Sequence, residues 1–78
     1  MKPTSTQHND FLARRPLRGV ALQHNDYVKV VSGAHVGDAG SVVSVEELGS
    51  DPELVVELES GKDARIRQSN LEFVAHDR

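Results

Sequence analysis

The chain contains no cysteine, which excludes disulfide staples, thiolate metal sites and thiol chemistry together and suits a reducing, cytosolic compartment. Stability must come from packing, yet aromatic bulk is scarce: Phe11, Tyr27 and Phe73 make up 4% of 78 residues, so Val, Leu and Ile have to build the core. That composition favours strands. A domain of this size buries only about 60% of its unfolded surface, which leaves little stability for a deep catalytic cavity. No apolar run approaches the roughly 18 residues of a membrane-spanning helix, and the opening MKPTSTQHND lacks the apolar stretch of a secretory signal. The expectation is a soluble, cytoplasmic, unprocessed chain with no membrane contact.

Charge is present, but unevenly. The net charge is −3. Residues 1–21 carry four basic side chains against one acidic, a net +3, while residues 22–78 carry five basic against eleven acidic, a net −6. Nucleic acids are held chiefly by Lys and Arg on phosphates, so the basic leader suits such a ligand and the acidic remainder does not.

Residues 1–10 are polar and follow no structural period, which predicts a disordered tail. Phe11 to Ala13, followed by Arg14 and Arg15, predict at most one helical turn capped by Asn9 or Asp10 and ended by Pro16. The tetrapeptide Gln-His-Asn-Asp occurs at residues 7–10 and again at 23–26, each time before an aromatic, and is read as coincidence. From Tyr27 the pattern alternates with period two. Strands are predicted over Tyr27 to Val31, Ser41 to Leu48 (with Val43 and Val45 on one face), Glu53 to Glu59 (with Leu54, Val56 and Leu58 inward), Asp63 to Arg67, and Leu71 to Val74, with the last residues, His76 to Arg78, fraying. Between the third and fourth strands, a two-residue loop would set Val56 against Arg65 and Leu54 against Arg67. A three-residue loop, either Glu59 to Gly61 or Ser60 to Lys62, keeps Ala64 and Ile66 on the apolar face and asks for a left-handed residue at Gly61 or Lys62. Five short strands joined this way can enclose one core only by curling, so the prediction is an all-β fold: a small five-stranded barrel over residues 22–76 behind a flexible basic leader, residues 1–21, that is disordered or partly ordered.

Asp26-Tyr-Val-Lys-Val-Val followed by Gly33, Gly37 and Gly40 in the spacing G-x-x-x-G-x-x-G, and then by a valine-rich second strand, resembles the KOW motif of certain ribosomal proteins and of NusG-type transcription factors. The likeness extends loosely over about two thirds of the chain. It implies an SH3-like barrel, and an association with transcription or translation. RNA-binding KOW domains are usually basic around the glycine loop; here that loop, with Gly33, His35, Gly37, Asp38 and Gly40, holds no Lys or Arg.

No nucleophile stands beside a base in the sequence, and the four histidines, His8, His24, His35 and His76, lack the close spacings of a ligand set. A non-enzymatic protein is therefore expected, with no metal, cofactor or small-molecule substrate. The favoured role is an interaction module that presents an acidic face (Glu46, Glu47, Asp51, Glu53, Glu57 and Glu59) or an open strand edge to a protein partner such as a basic nucleic-acid-binding factor or a toxin. The same acids also blunt strand edges and keep a small domain soluble. The second role is an RNA- or ribosome-associated factor contacting RNA through Arg14, Arg15 and Arg18, which can equally lie back on the acidic face. Asp26, just before the first strand, is expected to accept backbone hydrogen bonds at a turn.

Overall fold

The period-two segments form five strands: β1 (Asp26–Val30), β2 (Ala39–Glu47), β3 (Glu53–Leu58), β4 (Asp63–Arg67) and, after a 3-10 turn at Gln68–Asn70, β5 (Leu71–His76). The computed structural model describes residues 1–76, so the fraying expected of Asp77 and Arg78 lies outside the described residues. All pairings are antiparallel, in one sheet of order β4-β3-β2-β1-β5. The all-β, barrel-like prediction holds in this form, but among the described residues β4 and β5 remain edges, and no hydrogen-bonded pairing closes the barrel between them. β5 runs on through His76 rather than stopping at Val74.

Alternation places Leu54, Val56, Leu58, Ala64 and Ile66 in the core, as predicted, and of the two faces of β1 it is the one with Val28 and Val30 that is buried. β2 departs from it. Val42 and Val45 are both buried, whereas Val43 is only half-buried. The cause lies in the register: Val42 faces Val56 but Ser44 faces Val55, and Val45 faces Leu54 but Glu47 faces Glu53. Val43 and Glu46 are each an extra residue, and each bulge bends the strand and changes which face follows it. The inward residues of β2 are therefore Gly40, Val42, Val45 and, just past its end, Leu48. Two bends in the longest strand let a flat pairing pattern wrap a core.

The β3–β4 hairpin takes the Glu59 to Gly61 loop: Val56 faces Ala64, Leu54 faces Ile66, Leu58 N–H donates to Lys62 C=O at 2.8 Å, and Gly61 sits at φ 98°. This is a tight turn followed by a glycine bulge, the arrangement that three-residue hairpins favour.

The N-terminal segment differs most from expectation. Residues 5–12 form a helix, α1 (Ser5–Leu12), whose N-cap is Thr4. The Thr4 hydroxyl accepts from Gln7 N–H at 3.2 Å and the Gln7 side chain accepts from Thr4 N–H at 2.8 Å, a reciprocal capping box. The T-x-x-Q signal was in the sequence, with its Thr4 cap five or six residues ahead of the cap predicted at Asn9 or Asp10. At the other end Arg14 takes a left-handed conformation (φ 63°), while Arg14 N–H donates to Phe11 C=O and Arg15 N–H to Asp10 C=O, the double bond of a Schellman cap. Phe11, on this helix, is buried in the same core as Leu22 and the strand valines, with Leu17 and Val20 packed against it. The leader is thus a lid on one end of the sheet and not a flexible appendage.

Candidate docking edge and the surfaces around it

Asp26 organises the end of the fold where leader, β1 and β5 meet. Its carboxylate is buried, accepts Gln23 N–H at 2.8 Å, lies 2.7 Å from His76 Nδ1 and 3.5 Å from the Arg14 guanidinium. Two acceptors would repel at 2.7 Å, so Nδ1 carries a proton toward Asp26, and Arg14 donates to the Gln23 side chain at 3.0 Å. Arginine in place of the usual glycine at the left-handed helix end makes sense through this reach to Asp26 and Gln23. The structural role expected of Asp26 is what the geometry displays. Asp26→Ala is expected to cost about 2–4 kcal/mol, because it leaves Gln23 N–H and Arg14 without their acceptor. Asp26→Asn, which keeps an acceptor for Gln23, should cost clearly less; equal urea midpoints for both variants would remove the hydrogen-bond explanation.

The glycine loop closes the β1–β2 hairpin: Gly37 N–H donates to Val30 C=O and Val30 N–H to Asp38 C=O, each at 2.9 Å. Gly33 and Gly37 have φ near 90°, and Gly33 lies against Asn70, whose side chain takes a 2.6 Å bond from Ser32 Oγ. His35 is half-buried on this loop, and Asp38 bonds the neighbouring Ala39 N–H. The loop is thereby tied to the turn before β5.

The six acids predicted to form one docking face are not equivalent. Glu46 pairs with Lys2 and lies 3.6 Å from Arg65; Glu47 pairs with the Met1 amine, and both carboxyls are held below the ordinary range by those hydrogen bonds. Asp51 takes Ser69 N–H and Oγ–H and is lowered for that reason. Glu53 faces Arg67 across β3–β4, and Glu59 accepts the Tyr27 hydroxyl, which raises the phenol. Like charges meet at two places in the register: Glu57 faces Asp63 across β3–β4, and Glu47 faces Glu53 across β2–β3. Of the arginines singled out for nucleic acid, Arg14 is engaged at Asp26 and Arg15 with Asp10 at 2.9 Å, while Arg18 is exposed in the tight turn between Leu17 and Val20. Lys2 and the Met1 amine, rather than these arginines, lie back on the acidic face.

The edges differ in kind. β4 alternates Asp63, Arg65 and Arg67 with buried Ala64 and Ile66, charges that guard an open edge. β5 is exposed from Glu72 onward, with Phe73 46% and Val74 51% accessible. Val31 N–H donates to Asn70 C=O, so by antiparallel alternation Glu72 pairs with Lys29 and Phe73 turns its N–H and C=O away from the sheet. A shallow hollow beside this edge is lined by Ala21, Leu22, Gln23, Asp26, Phe73 and His76. Phe73 and Val74 were not singled out as an edge from the sequence, because β5 crosses over to pair with β1 instead of with its chain neighbour β4. Among the described residues no group of three His, Asp or Glu is placed to hold a metal, and no helix is long and apolar enough to cross a membrane.

Compared with protein-family profiles, curated proteins and solved structures, the chain matches none.

Proposed function

We propose that this is a non-enzymatic, protein-binding module, and that it engages its partner by adding a strand to β5. The observation that carries this reading is the contrast between the edges: β4 is guarded by alternating charge, while β5 offers an unpaired backbone with exposed Phe73 and Val74 beside a hollow. Most of the acids first considered as a docking face are engaged within the chain, so the strand edge is favoured over that face. The resemblance of the Asp26–Val45 stretch to KOW domains supports a partner among proteins of transcription or translation. The RNA-binding alternative is weakened because two of its three arginines are held by Asp26 and Asp10.

The test is capture from native lysate, with and without nuclease treatment, using the full-length chain and three variants: Phe73→Lys at the edge, Glu57→Lys on the sheet face and Arg18→Glu in the leader. A protein recovered by the parent and by Glu57→Lys, and lost with Phe73→Lys, is the expected result. Recovery that depends on intact nucleic acid and on Arg18 would overturn it in favour of an RNA-associated factor.

A further inference from the structure

The geometry points to an extended protein segment of alternating apolar and basic residues as the ligand of β5, an inference that rests on β5 being the docking edge. Leu71 and Phe73 lie opposite Val30 and Val28, both buried, and so belong to the inner face of the sheet; Glu72 lies opposite Lys29 on the outer face. Strand addition sets each incoming side chain about 5 Å from its neighbour on the same face. Residues flanking the centre of the incoming segment therefore meet Phe73, Leu71 and the hollow of Ala21 and Leu22. The central residue meets Glu72.

Glu72 is exposed and makes no salt bridge among the described residues, although Lys29 is its register partner. It is the one charged side chain between two apolar ones on this edge, on a segment whose net charge is −6. A Lys or Arg opposite it is attracted, and an acid there is repelled. Nucleic acid supplies neither the amide ladder that the edge lacks nor positive charge.

The probes are two labelled synthetic peptides of otherwise identical sequence, one with the core Val-Lys-Val and one with Val-Glu-Val, titrated by fluorescence anisotropy into the full-length protein. The lysine peptide is expected to bind more tightly by up to about fivefold. Glu72→Lys is expected to reverse the order and Glu72→Gln to erase it; neither removes a contact within the fold. Equal binding of both peptides, abolished by Phe73→Lys, would overturn the charge rule while leaving β5 as a docking edge. Failure of both peptides to bind at millimolar concentration would also overturn the inference, and the docking reading would then be judged by the capture experiment alone.

Discussion

Gly40→Ala is expected to destroy the cooperative fold or to displace β2 against β3, the largest effect of any added methyl group in this chain. Gly40 pairs with Val28 on one side and Leu58 on the other, and its backbone has no unusual φ that would by itself demand glycine. The demand is spatial. A Cβ there would lie 2.8 Å from both the Glu57 carbonyl carbon and Leu58 Cα, and closer still to the Glu57 oxygen. These are backbone atoms in the middle of a ladder, so no rotamer change relieves the overlap, and the cost should exceed the roughly 1–3 kcal/mol of ordinary overpacking. In a protein of this size that consumes much of the total stability. Gly37→Ala is the matched control: its Cβ would meet open space, and only the φ of 92° is unfavourable, a penalty of about 1–2 kcal/mol. Thermal melting by circular dichroism should rank the pair with Gly40→Ala far below Gly37→Ala. If Gly40→Ala melts with the parent protein, β3 does not cross β2 as closely as described.

Deleting residues 1–20 is expected to leave a chain without a cooperative unfolding transition. Viewed from the sequence alone, the same truncation would leave a folded barrel, because the leader was read as flexible. The structure reverses this by placing Phe11 in the core and packing Leu17 and Val20 on it. The strap before β1 is further tied down by Gln68, whose side chain accepts from Ala21 N–H at 2.9 Å and donates to Gly19 C=O at 3.2 Å. Lys2 and the Met1 amine hold the start of the chain to Glu46 and Glu47. Phe11→Ala isolates the packing contribution from the rest and should cost about 3–5 kcal/mol. Urea unfolding followed by tyrosine fluorescence reads both variants. A truncated chain that unfolds at the parent's midpoint would show that the helix only rests on the sheet.

The strands were legible because burial of one face imposes a period that survives in the residue order. β4 falls where it was predicted, and the register test at the Glu59 to Gly61 loop worked because a one-residue slip would have buried Arg65 and Arg67. β2 was legible only in part: its valines mark a strand, but a run of Val42, Val43, Ser44 and Val45 does not reveal which residue is the extra one. That depends on where β3 must lie for the sheet to curl. An open strand edge was foreseen as a type from the sequence but could not be located, since which strand is left unpaired is a property of closure.

The tetrapeptide Gln-His-Asn-Asp separates the two kinds of information. At residues 7–10 it is helix, with Gln7 completing the capping box begun by Thr4; at 23–26 it is a turn entering β1, with Gln23 N–H bonded to the buried Asp26 carboxylate. The flanking caps and Phe11 were readable, but the choice between the two conformations was not. Sequence by itself determined the all-β core, its inward residues on β3 and β4, and the hairpin register, because those follow from apolar periodicity and turn chemistry close along the chain. Tertiary structure alone decided that the leader is a lid, that most of the acidic face is occupied from within, and that β5 is the open edge, because each depends on partners dozens of residues away whose approach no local pattern encodes.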